Sequence, residues 1–378
     1  MKRRGFTLIE LMVAMLVSAL LVAMILAIFT RMSVAYRSQQ QVADLQQVLA
    51  AARAQISQDA MQSGLECPQG FKLATDGYTA YAGPPLGAPV RHQPVVVTNS
   101  STGPDEIAFF YADTSKQAAV TGAGWAGSSA VAVDSASGFA IGDLVLMSTP
   151  DLSSMSSPTN PGIDANIAKF DACVLRVSGV SAQQLTFDET APWGIAASSH
   201  CVTPSSTTMV YRFIAHAYRI DPTRPTDGVL QVSYTGGLLG NAEVWQDLAL
   251  GFTDLQTAVY FYDGDAIDTP DPDTDPARDW YSSSDLTTMT SPILASSVSY
   301  ISPLMMSVSL VVRTDREVEG VSSVSTPQLT DPLNPSNNVI GDRPAIDLTT
   351  TSDPALLGAH IYRYTTFQVD LRNIGVGR

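Results

Sequence analysis

Few side chains in this chain are of types and spacings that could do chemistry, and the first of them stands where an ionisable group is least expected. Between Arg4 and Arg31 the only charged residue is Glu10. A carboxylate inside an apolar run of membrane-spanning length costs roughly 2.5–3.5 kcal/mol at mid-bilayer, so it calls for a specific partner. A free amine fits that role, and a carboxylate in the first turn of a helix is also favoured by the macrodipole.

A second group is the acidic run Asp263, Asp265, Asp268, Asp271, Asp273, Asp275 and Asp279. It supplies hard oxygen donors at alternating positions, as calcium loops do. Counted from Asp271, an EF-hand would carry Gly where Pro276 stands and Glu where Ser282 stands, so the run is not that motif. Ca²⁺ held by Asp263, Asp265, Asp271, Asp273 and Asp275 and a solvated acidic loop both remain open readings. No other cofactor is expected.

The remaining candidates argue against catalysis. His92, His200, His216 and His360 are scattered, and His216 falls in the middle of a strand pattern, where a structural role is the simpler reading. There is no His-Glu-x-x-His, Gly-x-Ser-x-Gly, phosphate loop or Cys-x-x-Cys, so the chain reads as a non-enzyme. Cys67, Cys173 and Cys201 allow one bridge and leave one thiol over. Cys173 and Cys201 flank β-rich sequence and are expected to pair, closing a loop of about 27 residues worth roughly 3–4 kcal/mol in the loop-entropy model. Cys67 sits at a helix exit and is expected to be free or paired to another chain.

The elements that must position these groups begin with one helix. Residues 6–63 contain neither Pro nor Gly and are rich in Leu, Met, Ala and Gln, all strong helix formers. About 58 residues at 1.5 Å each span roughly 87 Å, far more than the ~30 Å hydrocarbon layer. The transmembrane part is expected over about 6–29. Ala19, Ala23 and Ala27 give that part a small-residue face suited to close helix approach in lipid. Farther on, Val42, Leu45, Leu49, Ala52 and Ile56 repeat at three and four, a stripe facing the protein's own sheet or other helices. Gly64 and Pro68 then end the helix.

Residues 64–378 read as one β-rich domain. Runs at Val95, Ile107, Leu144, Cys173 and Leu185 have strand composition, and 210–220 with 229–234 suggests a hairpin across Asp221-Pro222 and Asp227-Gly228. Strands are also expected over 255–262, from Met306 to Arg313 as a half-buried alternation, and over 361–371. The fold class is therefore α+β: a long N-terminal helix followed by a β-rich domain. Charged residues are only 15% and the formal net charge is −15, which disfavours direct nucleic-acid binding. Lys2, Arg3 and Arg4 precede the apolar run, so the positive-inside rule sends the bulk of the chain outward.

A resemblance joins these observations. Arg4-Gly5-Phe6-Thr7-Leu8-Ile9-Glu10-Leu11 closely resembles the type IV prepilin signal. An ordinary secretory signal would need a small-x-small site after its apolar core, and the only nearby candidate is Ser33-Val34-Ala35, beyond Arg31. The resemblance implies a leader over residues 1–5, cleavage between Gly5 and Phe6 by a prepilin peptidase, N-methylation of Phe6, and pairing of Glu10 with the terminal amine of a neighbouring subunit. In the C-terminal half, Val244-Trp245-Gln246-Asp247, Phe252-Thr253-Asp254-Leu255-Gln256, Trp280, the run from Ser307 to Arg313 and that from Tyr364 to Asn373 look like the PilW-type minor pilins. Residues 70–205 are covered poorly, and an insertion is expected over about 112–205.

What the resemblance implies is a structural and assembly subunit that helps prime or tip a type IV pilus. Its implied partners are other minor and major pilins, the peptidase, the inner membrane and the pilus assembly platform. Its implied location is the inner membrane with the bulk in the periplasm, then the extracellular fibre. A type II secretion pseudopilin of the J type, or an adhesin displayed on a pilin stalk, are the alternatives.

Overall fold

The computed structural model describes residues 8–68, 70–73, 93–98, 103–127, 129–151, 169–189, 202–224, 227–239, 242–261, 280–282, 303–314 and 360–374. The first element is a single α-helix, α1 (Leu8–Gln62), continuous because nothing in it breaks the backbone ladder. Its two parts meet different surroundings. Leu8, Leu16, Leu26 and Phe29 are each more than half exposed, whereas Leu45, Leu49, Ala52 and Ile56 are buried and Val42 is half-buried.

The expected stripe therefore exists, and its partner is the chain's own domain. It packs with Val308, Leu310, Val312, Phe367, Val369 and Leu371 in one core cluster. Burial of side chains of this size contributes about 1.5–3 kcal/mol each, so this part of the helix is held by packing rather than by propensity. The helix ends at Gly64, whose φ of +81° few other residues adopt. Its N–H donates to the Phe110 carbonyl at 2.9 Å, and a Cβ there would lie 2.7 Å from Cγ1 of Ile374. The glycine thus lets the exiting chain turn flat against the sheet.

Thirteen strands are seen among the described residues. The first nine are β1 (Val95–Thr98), β2 (Glu106–Ala119), β3 (Ala130–Ala132), β4 (Leu144–Asp151), β5 (Lys169–Ser181), β6 (Gln184–Phe187), β7 (Met209–Ile220), β8 (Val229–Ser233) and β9 (Gln246–Leu250). They form one nine-stranded sheet, and β10 (Phe252–Phe261), β11 (Trp280–Ser282), β12 (Pro303–Arg313) and β13 (Tyr362–Asp370) form a second in the order β11-β10-β12-β13. All the paired strands run antiparallel. The fold is α+β.

β7 is the spine of the larger sheet. Along one edge it pairs with β2, from Ile107↔Tyr218 to Ala119↔Met209. Along the other it pairs with β4 over Met209 to Arg212 and with β8 over Ala217 to Ile220, the latter being the expected hairpin. Ala119 and Met209 face each other, so residues 120–208 depart from and return to the β2–β7 ladder at one point, and on the way they add β3, β4, β5 and β6 to the same sheet. Val131, Val133, Val145, Met147, Cys173, Leu175, Leu185 and Phe187 of this excursion form a cluster with Ala118 and Val210, distinct from the one beneath α1, while its Leu146, Ala172 and Val174 pack with Cys67, Phe71, Phe110 and Phe213.

One strand departs from expectation. The period-two pattern from Met306 to Arg313 predicts one solvated face, yet both faces are buried: Ser309 is 2% exposed and Arg313 6%. A buried hydroxyl is tolerable when it is hydrogen-bonded, and Ser309 meets the Thr366 hydroxyl at 2.9 Å on the neighbouring strand. Ser and Thr therefore give no sign of exposure here.

Candidate assembly helix and its anchorage

Glu10 occupies the first turn of α1 on an exposed stretch of the helix. Around it Ile9, Leu11, Val13 and Val17 are exposed on every side, and the helix is long and apolar enough to cross a membrane. A helix apolar all round is built for lipid or for other apolar helices, because no aqueous face is provided. Gly5 and Phe6, on which processing would act, lie outside the described residues. So do Asp263, Asp265, Asp271, Asp273 and Asp275. Among the described residues no group of three or more His, Cys, Asp or Glu could hold a metal ion.

Cys67 is free and fully buried. Burial pushes its thiol well above the usual range, with the Glu66 carboxylate adding to the rise, so it is a packed, unreactive sulfur. Cys173 is disulfide-bonded, and Cys201 lies outside the described residues.

The anchorage of the helix depends on a residue that sequence reading passed over. Asp59 sits on the last turns of α1 at 4% exposure. Its Oδ1 accepts a hydrogen bond from the Tyr111 hydroxyl at 2.8 Å. Its Oδ2 accepts a short one from the Tyr218 hydroxyl and lies 2.9 Å from Nδ1 of His216. One carboxylate thus ties the helix to two strands, β2 through Tyr111 and β7 through His216 and Tyr218. Burial first, and then the Asp59 charge, push both tyrosine hydroxyls far above their ordinary range, so they stay protonated donors. A buried charge of this kind is tolerable only with such partners.

A signal for it was present in the sequence. Asp59 continues the stripe of Leu45, Leu49, Ala52 and Ile56 at the same three-and-four spacing, so a carboxylate falls where an apolar residue is due. Its match, His216, lies between inward-facing Ala215 and Ala217 and points across to the helix. The structural reading of that histidine holds, with a contact to the Asp59 carboxylate as its content.

The other charged groups knit the sheet. Arg224 reaches Asp221 at 2.7 Å and Asp247 at 2.5 Å, joining the turn after β7 to β9. Burial works to raise the Asp221 carboxyl, but hydrogen bonds from Thr223 and Arg224 outweigh it and hold the group at about 2. Arg219 stacks 3.9 Å above the Trp245 ring. None of these groups lines a cleft with a nucleophile or base arranged for turnover.

Residues 1–26 match the family model described as the prokaryotic N-terminal methylation motif. No curated protein and no solved structure matches the chain. A methylation motif running into a helix of this length and exposure, ahead of a strand-rich α+β domain, is the build of a type IV prepilin-like protein.

Proposed function

We propose that this protein is a minor pilin, a non-enzymatic subunit that helps prime or tip a type IV pilus, as the likeness of its C-terminal half to PilW-type pilins suggests. The observation that carries the reading is the division of α1. Its second part is already packed on its own domain, while its first part exposes apolar residues on all sides with a carboxylate in the first turn. Lipid satisfies the apolar residues but not the carboxylate. In a helical bundle, neighbouring pilin helices cover the apolar residues and a neighbour's terminal amine meets the carboxylate. In this reading the leader 1–5 is removed, Phe6 is methylated, and Glu10 pairs with a neighbour. The partners are the peptidase, other minor and major pilins and the assembly platform. The domain faces the periplasm until it is carried out on the fibre. Cys173 pairs with Cys201 inside the excursion, where the bridge constrains the unfolded chain.

One mass-spectrometric experiment addresses both the processing and the bridge. Protein recovered from sheared fibres is expected to begin at N-methylated Phe6 and, digested without reductant, to yield a peptide linking Cys173 to Cys201. An intact Met1 terminus in the fibres would sink the pilin reading, and a link to Cys67 would sink the pairing.

The excursion favours a second reading, a binding module carried on a pilin stalk, because most of its buried side chains lie in a cluster separate from the one beneath α1. Since Ala119 and Met209 face each other across the ladder, a two-residue Asn-Gly turn in place of 120–208 joins β2 and β7 directly, and it also removes β4 from the other edge of β7, so folding of the shortened chain is checked first. If the protein is an assembly subunit through its helix and C-terminal sheet, the shortened chain is expected to restore piliation to a deletion strain. Normal piliation with lost attachment assigns the excursion to adhesion, and failed piliation by a folded, processed chain assigns it to assembly.

A further inference from the structure

Past Phe29 the helix passes through a neck before Leu45 docks on the domain, and the neck has a composition of its own. Arg31, Tyr36 and Arg37 are exposed there, Tyr36 by 69%, and neither arginine has an ion-pair partner among the described residues. They are the only cations in residues 5–52. At 3.6 residues per turn, the three side chains leave the axis at about 0°, 140° and 240°. A partner helix would call for a stripe along one side. A collar that faces several ways within about two helical turns suits a layer rather than a single partner helix.

The heights fit as well. At 1.5 Å per residue, Arg31 stands about 3 Å and Arg37 about 12 Å beyond Phe29. A headgroup layer occupies roughly 5–7 Å on each side of the ~30 Å hydrocarbon core. Arginine stems bend several ångströms to keep the guanidinium at that layer, and tyrosine favours the same zone. Charge separates the collar from everything beyond it. Lys2, Arg3, Arg4, Arg31 and Arg37 are the cations of the first 37 residues and Glu10 their one carboxylate, so the rest of the chain carries a formal −19. An anionic surface attracts the collar and repels the domain.

We propose that Arg31, Tyr36 and Arg37 form a collar that binds the phosphates of anionic phospholipids at the outer membrane–water boundary and sets the depth of α1 before assembly. This rests on the reading that α1 spans the membrane and loses its leader. Removal of Lys2, Arg3 and Arg4 leaves the collar as the only cationic side chains flanking the span. The depth of the span is then governed from its outer end, and outward extraction into a fibre must break these contacts.

The test uses the chain without its leader, residues 6–378, in vesicles of phosphatidylcholine and phosphatidylglycerol. Tyr36→Trp serves as depth reporter, read by quenching with lipids brominated at successive acyl positions, against the unsubstituted protein as background. Flotation after carbonate washing reads insertion separately. The reporter is expected at the headgroup boundary, and adding Arg31→Gln with Arg37→Gln is expected to shift it by roughly one helical turn, about 5 Å, while the protein still floats. A floating double variant whose reporter does not move overturns the collar. If the parent protein does not float, the membrane-spanning reading fails and the collar fails with it. A double variant that keeps its depth but drops out of sheared fibres assigns the arginines to a neighbouring subunit, which also overturns the proposal.

Discussion

Glu10→Ala is expected to be processed and inserted normally, yet to fall by more than about a hundredfold in assembled fibres relative to membranes. The magnitude follows from the setting. Breaking an ion pair away from water leaves the other charge uncompensated and costs roughly 3–5 kcal/mol, where each 1.4 kcal/mol is a tenfold change in population. The direction is informative because the two roles of the residue predict opposite outcomes. In a plain anchor, alanine removes an expensive polar group from lipid and the protein stays at least as well inserted. In an assembling subunit, alanine removes the group that meets a neighbour's amine. Quantitative immunoblots of sheared fibres and membranes from a complemented deletion strain measure the ratio. Equal ratios for alanine and wild type would show that the carboxylate takes no part in assembly.

The second large effect is expected at the other end of the helix. Asp59→Ala strips the acceptor from the hydroxyls of Tyr111 and Tyr218 and the partner from Nδ1 of His216, all at a buried joint. A loss of about 3–5 kcal/mol of stability is expected, as for breaking one side of a buried pair. Because the carboxylate joins α1 to β2 and β7, the helix end should loosen before the sheets do. Urea unfolding of the full chain in detergent gives the total. Hydrogen exchange of the amides over 52–62, compared with those of β7, locates the opening. Tyr218→Phe, which keeps the ring packing and removes one of the donors to the carboxylate, should cost less, about 1.5–3 kcal/mol. An Asp59→Ala loss below about 1 kcal/mol, with unchanged exchange over 52–62, would mean that packing alone holds the joint.

The two ends of α1 were not equally legible. Local rules settled its extent, its stop at Gly64 and the stripe from Leu45 to Ile56, because backbone propensity and apolar spacing act over a few residues. The strand runs were legible for the same reason. The partner of the stripe was not, since a stripe asks only for apolar contact and is silent on whether the cover comes from its own chain. Asp59 shows the limit most sharply. Its place in the stripe could be read, but its partners are 52, 157 and 159 residues away, and no local pattern links positions so far apart.

What the sequence by itself determined about this protein is the helix, its membrane-length apolar first part with Glu10 inside it, the methylation motif at its start and the β-rich character of the rest. All of these are short-range properties of composition and spacing. Only the tertiary structure decided that the second part of the helix packs on its own sheets, that Met306 to Arg313 is buried on both faces, and that residues 120–208 depart from the β2–β7 ladder at Ala119, add four strands to the same sheet and return opposite it at Met209. Each of those depends on which distant strands come to lie side by side, and strand pairing is chosen by the whole chain's burial rather than by any segment's own preference.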